Sequence, residues 1–254
     1  MKLLFIGDVV GNAGCQFVQN NLHRLKKEYE IDITVINGEN SAQGNGITKY
    51  SSQQLFNAGA DVITTGNHCF KRREALAIYE NESIIRPANY PEGCTGRGVC
   101  RLDYGRVQVA IINLSGTTYL DPLDNPFTCI ENILKDIDTP NIFVDFHAEA
   151  TAEKKAMGHF LTGKVTAVMG THTHVQTSDE IILGGHTGYI TDAGMTGPEL
   201  SILGIEIEPA LNRFRFRFPS RFAEAQSECF LNGVVVTFNE KNGKCTKIER
   251  IIIR

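Results

Sequence analysis

Carboxylates, amides and imidazoles recur at the ends of apolar runs along this sequence. Asp8 follows Leu3 to Gly7, and Glu39 and Asn40 follow Ile33 to Gly38. Asn67 and His68 follow Val62 to Gly66, His147 follows Ile142 to Phe146, and His172 and His174 follow Val165 to Thr171. Each run reads as a buried strand, and open α/β sheets build their sites where such strands stop. Hard oxygens supply charge to a cation, imidazoles supply affinity, and a carboxylate can bridge two ions. Asp8, Glu39, Asn40, Asn67, His147, His172 and His174 are therefore candidate metal ligands, too many for one ion, and they point to a two-metal hydrolase. Glu39 is long enough to bridge. In extended chain His172 and His174 would point to opposite sides, which suits ligands of two neighbouring metals. Taken singly, an Asp in the place of Asp8 is usually a helix cap or turn former and Gly66-Asn67 is most often just a turn; it is the set that carries the signal.

The elements that must position these groups alternate. Gln16 to Tyr29, Gln53 to Ala58 (with Ser51-Ser52 as its N-cap), Lys71 to Glu80, Asn125 to Ile137 and Thr151 to Leu161 have helical spacing. Strands alternating with helices imply a largely parallel sheet with helical crossovers. Arg86 to Gly98 is rich in Pro, Gly and Asn and reads as a loop, and Val99 to Asp103 with Val107 to Asn113 reads as a hairpin. From Glu180 the pattern turns β-rich. Ile181 to Leu183 and Gly188 to Thr191 flank a turn, and Phe214 to Phe218, Leu231 to Phe238 and Lys247 to Ile253 read as strands. This tail is expected to form a second sheet of one domain spanning residues 1–254.

A chain of 254 residues with 42% apolar content supports a substantial core. A net charge of −4 gives no basic footprint for strong nucleic-acid binding. A small phosphorylated substrate fits, because bound metals supply local positive charge. The seven scattered cysteines form no CxxC and suit reduced thiols. No apolar run approaches the roughly 18 residues of a membrane span, and the chain starts on a strand and not on a signal helix. A cytoplasmic protein without membrane contact is expected, and a homo-oligomer is left open. Gly7 to Gly14 has the spacing G-x-x-x-G-x-x-G, which is not the dinucleotide fingerprint. His23 and His159 fall in helical stretches and read as surface or packing residues, His186 as a solvated turn residue, and Cys69 as packing.

Gly7-Asp8, Gly38-Glu39-Asn40, Gly66-Asn67-His68, His147 and Gly170-Thr171-His172-Thr173-His174 resemble the motif series of calcineurin-like metallophosphoesterases. The strings Asn37 to Ala42, Asp145 to Thr151, Gly170 to Asp179 and Thr191 to Pro198 resemble its YmdB-like bacterial branch, described as 2′,3′-cyclic-nucleotide phosphodiesterases. The resemblance implies a four-layered α/β/β/α sandwich around two metal ions, with iron expected and manganese or zinc as the other candidates. By position it implies Asp8, Glu39, Asn40 and His174 on the first metal, and Glu39, Asn67, His147 and His172 on the second. His68 is implied as the catalytic acid, protonating the 2′ oxygen as a metal-bound hydroxide attacks phosphorus and a 3′-nucleotide is left. Val10 stands where the wider superfamily has a histidine ligand, with Asn40 as its replacement, and Cys69 stands where an acid often follows the motif histidine. The rival readings are phosphomonoesterase or nuclease activity on the same site, and a regulatory RNA-associated protein whose hydrolysis is incidental.

Overall fold

The first apolar run forms β1 (Lys2–Ile6), breaks at Gly7 and resumes as β2 (Asp8–Val9). The computed structural model describes residues 1–254. Then follow α1 (Gly11–Glu28), β3 (Ile33–Asn37), α2 (Lys49–Ala58), β4 (Val62–Thr64), a 3-10 helix (Arg73–Glu80) and β5 (Ile84–Ile85). Beyond the loop lie β6 (Val99–Asp103), β7 (Gln108–Ser115), α3 (Pro126–Lys135), β8 (Ile142–His147), α4 (Thr151–Phe160), β9 (Ala167–Thr171), β10 (Ile181–Leu183) and β11 (Thr187–Ile190). The chain closes with β12 (Met195–Pro198), α5 (Ile207–Phe216), β13 (Cys229–Asn239) and β14 (Lys244–Ile253).

One sheet has eight strands in the order β2-β12-β13-β1-β3-β4-β5, with β14 also on β13, and the other has six in the order β10-β11-β9-β8-β7-β6. Strands β1, β3, β4 and β5 of the first sheet and β7, β8, β9 and β11 of the second run parallel to their neighbours in those sets, whereas β13 is antiparallel to both β1 and β12. Side chains alternate across a strand, and β1 shows the consequence. Leu3 and Phe5 enter the core between the sheets with Ile111, Phe143 and Met169 of the second sheet. Leu4 and Ile6 face the opposite way, among Val18 and Leu22 of α1 and Leu55 of α2. On the far side, Ile130 of α3 and Met157 of α4 cover Ile112, Val144 and Phe146. The result is the expected four-layered α/β/β/α sandwich, and strands buried on both faces explain the continuous apolar runs.

Three local readings need correction. The helix expected from Gln53 begins at Lys49, and its cap is Thr48, whose side chain accepts from the Ser51 amide while Ser51 Oγ accepts from the Thr48 amide. The β-rich tail builds no sheet of its own: β13 inserts between β1 and β12, with Val234, Val235 and Val236 buried, and the second sheet is β6 to β11. Phe214 to Phe218 is not a strand. It carries the end of α5, which stops at Arg217 in the left-handed region (φ 59°), two residues before Pro219. A lone strand needs a partner for its backbone groups, whereas a helix satisfies them internally.

Candidate metal centre

Both sheets end their parallel strands at one rim, and every ligand candidate sits on it. His147 is the last residue of β8, His172 follows β9 directly, and Glu39 and Asn67 lie just beyond β3 and β4. Asp8 is carried by β2, which pairs with β12.

Two clusters form. In one, His147 Nε2 lies 2.9 Å from Asn67 Oδ1, 3.0 Å from His172 Nδ1 and 3.3 Å from Glu39 Oε1. Donors bound to a single cation at about 2.0–2.1 Å stand roughly 3 Å apart, so these spacings suit one ion. In the other, the Asn40 side-chain nitrogen is 3.0 Å from Glu39 Oε1, 3.5 Å from Asp8 Oδ1 and 3.2 Å from His174 Nε2, and His174 Nε2 is 3.8 Å from Asp8 Oδ1. A flip of the Asn40 amide would turn its oxygen toward these groups. Glu39 belongs to both clusters. Asp8 and Glu39 are fully buried, and their only ion-pair partners are imidazoles. Two buried carboxylates among imidazoles, with no lysine or arginine against them, are the donor chemistry of a cation pair.

Burial raises the Asp8 carboxyl, although His174 and His147 oppose it. Burial also acts against the Glu39 charge, but His147 and His68 outweigh it and hold this carboxyl well below its usual range. Burial acts against charge on His147 too, but Glu39 and Asp8 raise it to about 9. His172 is pushed down to about 3 by burial and by His147.

The separation of His172 and His174 has a different cause from the one expected. Neither is in extended chain. Both have left-handed backbone, φ 104° and 66°, and the turn between them delivers one ring to each cluster. That conformation is disfavoured for side-chain-bearing residues, and Asp192 holds it. Its Oδ2 accepts from the Thr173 amide at 3.0 Å, from Thr173 Oγ1 at 2.7 Å and from Lys154 Nζ at 2.7 Å.

Beneath the ligands, Asp145 ties the sheets together. It accepts from Thr64 Oγ1 at 2.5 Å, Asn37 Nδ2 at 2.9 Å and Thr171 Oγ1 at 2.7 Å, and Thr171 Oγ1 meets His147 Nδ1 at 2.9 Å. Such outer partners fix ring orientation at metal-binding histidines. Burial raises Asp145 to about 7. The sequence reading missed Asp145, Thr171, Asp192 and Lys154 as supports. Two of them left a signal: Asp145 interrupts an apolar run, and Lys154 falls on the helix face of Met157, Gly158 and Leu161. Gly66 is also required, because a Cβ there would strike the His147 ring and the Glu39 carboxylate.

His68 sits beside the clusters, against Asn40 and Glu39. Its Nδ1 lies 2.9 Å from Asn40 Oδ1 and 3.2 Å from Glu39 Oε1, and its Nε2 has no protein partner. These contacts orient the ring, which the sequence left unassigned. Cys69 is buried in packing as expected, and burial pushes its thiol up to about 12. His23 and His159 are exposed, whereas His186 is half-buried in its turn and not fully solvated. The rim opens into a cavity of about 1110 Å³, lined by Glu39, Asn40, His68, His172 and His174 and, opposite, by Leu203, Phe214, Arg221 and Phe222.

The family model described as YmdB-like protein matches residues 4–251. The chain is 45% identical over 256 residues to a 2′,3′-cyclic-nucleotide 2′-phosphodiesterase of Bacillus subtilis, covering 100% of this chain and 97% of that protein. It superposes with a TM-score of 0.95 on a crystal structure of a novel phosphatase from Mycoplasma pneumoniae, at 33% identity, over 100% of this chain and 93% of that one. The calcineurin-like phosphoesterase YfkN from Bacillus subtilis, at 11% identity and TM-score 0.60 over 100% of this chain and 90% of that one, shares the fold alone.

Proposed function

We propose that this chain, which belongs to the YmdB-like protein family, is a metal-dependent phosphodiesterase that opens 2′,3′-cyclic nucleotides at the 2′ bond and leaves a 3′-phosphate. The observation that carries this reading is the pair of donor clusters sharing Glu39 on the wall of the rim cavity. Asp8, Glu39, Asn40 and His174 would hold one cation, and Glu39, Asn67, His147 and His172 the other. The donor set contains imidazole, carboxylate and amide but no thiolate, which suits iron, manganese or zinc, and iron is our assignment. When bound, two such cations supply Lewis-acid charge for phosphate oxygens and activate water.

The protein's own contribution is positioning and proton transfer. His68 sits beside both clusters with Nδ1 held by Asn40 and Glu39. The ring's other nitrogen is thereby left for substrate, and a proton there can pass to the departing 2′ oxygen, sparing an alkoxide. Thr171 and Asp145 hold the His147 ring, and Asp192 holds the His172–His174 turn. No helix is long and apolar enough to cross a membrane, and all seven cysteines are free thiols. The free thiols support our placing the enzyme in the cytoplasm, where thiols stay reduced.

The test is metal analysis of anaerobically purified protein, paired with product identification on 2′,3′-cyclic AMP. About two metal ions per chain and 3′-AMP as product are expected. A metal-loaded protein that leaves the cyclic ester intact, or yields 2′-AMP alone, overturns the reading.

A further inference from the structure

The wall of the cavity opposite the ligands has an unusual composition. Residues 213–222 read Arg-Phe-Arg-Phe-Arg-Phe-Pro-Ser-Arg-Phe, with four arginines, four phenylalanines and no acid. The whole-chain charge of −4 conceals this stretch. None of the four arginines has a carboxylate partner, whereas five of the nine arginines elsewhere in the chain do. The rings are exposed, Phe214 by 68% and Phe218 by 59%, and apolar surface clustered in this way marks a binding site. Phe216 and Phe218 stack at 5.3 Å with 27° between planes, and the Arg215 guanidinium lies 4.8 Å from the Phe216 ring centre.

This stretch is anchored to the site. Residues 199–228 leave the sheet after β12, next to the strand carrying Asp8, and return as β13. The Leu203 carbonyl lies 3.3 Å from His174 Nδ1, and Ile205 bridges to Glu224 across the base of the excursion. Phe214, Arg221 and Phe222 line the cavity, while Phe216 and Phe218 lie outside its lining and are exposed. Rings leading out of a catalytic cavity among unpaired guanidinium groups match a strand of bases and phosphates. Aromatic rings stack on bases of any sequence, and arginines follow the backbone. The cavity, about 1110 Å³, also exceeds the roughly 300–1,000 Å³ of sites for small ligands. A second copy of the chain is the poorer occupant, because a two-fold contact would set these arginines against themselves.

Resting on the phosphodiesterase reading above, we propose that residues 213–222 form a track for single-stranded RNA. The substrate class is then an RNA chain whose 3′ end carries a 2′,3′-cyclic phosphate. Water adds at phosphorus, the 2′ oxygen–phosphorus bond breaks, and the 2′ hydroxyl and a terminal 3′-phosphate are left, with the 5′-ward nucleotides lying on the track.

The test compares kcat/KM of the metal-loaded full chain on 2′,3′-cyclic AMP and on a hexa-adenylate ending in a 2′,3′-cyclic phosphate. The native protein is expected to prefer the hexamer, and that preference should weaken with salt. The hexamer-to-mononucleotide ratio should fall about tenfold in Phe216→Ala/Phe218→Ala, the size expected for one stacked base, and fall likewise in Arg215→Gln/Arg217→Gln. A native ratio near one, or a ratio that survives both double variants, overturns the track. So does a shift in oligomeric state of the phenylalanine variant with the ratio intact, which assigns the face to a second copy. If the native protein hydrolyses neither ester, the phosphodiesterase reading fails instead. Fluorescence anisotropy of a labelled hexa-adenylate 3′-phosphate then judges the track alone: weaker binding by both variants sustains it, and equal binding removes it.

Discussion

Glu39 Oε1 lies within 3.3 Å of His68, Asn40 and His147. One oxygen thus meets members of both clusters and the proposed acid. Glu39→Ala is expected to strip both metals, because each cation loses its shared charged ligand, and two equivalents retained by elemental analysis would contradict the bridge. His68 makes the opposite prediction. His68→Ala should keep its metals while kcat on 2′,3′-cyclic AMP falls by about 10²–10⁴, the range for general acid catalysis. The loss should shrink on a nitrophenyl phosphodiester, whose leaving group needs no proton. Equal losses on both substrates, or loss of metal, would give His68 another role.

At the scale of elements, the decisive device is a buried ion pair between α4 and the segment after β11. Lys154 is 1% exposed and Asp192 is fully buried, 2.7 Å apart, and the same carboxylate grips the turn between His172 and His174. Removing one member of such a pair leaves an uncompensated charge and costs about 3–5 kcal/mol. Lys154→Met is expected to lower the urea-derived unfolding free energy by that much and to weaken metal retention, because the His172–His174 turn loosens. Unchanged stability would mean that the Thr173 and Gly194 amides suffice for Asp192. Helix α5 shows the other side of element logic. Its alternating Arg and Phe imitate a strand, yet only Ala210 of the helix is buried. It packs little and is free to face the cavity.

At the scale of the whole molecule, the proposed metal binding would be linked to folding. The candidate ligands come from β2, from the segments after β3, β4 and β9, and from the end of β8, so cations bound across both sheets would favour the folded state. A ligand at 100 times its Kd stabilises by about 2.7 kcal/mol. For a chain of this length each kcal/mol raises Tm by roughly 2–4 °C. Calorimetry should therefore show metal-free protein melting about 5–10 °C below loaded protein, and identical Tm values would mean that the clusters hold no ion. The residues that gather into the two clusters were legible in the sequence, because a carboxylate, amide or imidazole at the end of an apolar run is conspicuous and strand ends need only local pattern to find. The four layers were implied by the family resemblance, whereas the residue pattern alone put the second sheet in the wrong part of the chain. Tertiary structure alone decided which cluster each histidine enters, because that depends on left-handed turns held by Asp192, far along the chain. It alone revealed Asp145 and Thr171 behind His147, and it alone placed β13 beside β1. A register between strands more than two hundred residues apart, like a hydrogen bond across two sheets, leaves no periodic trace in either segment.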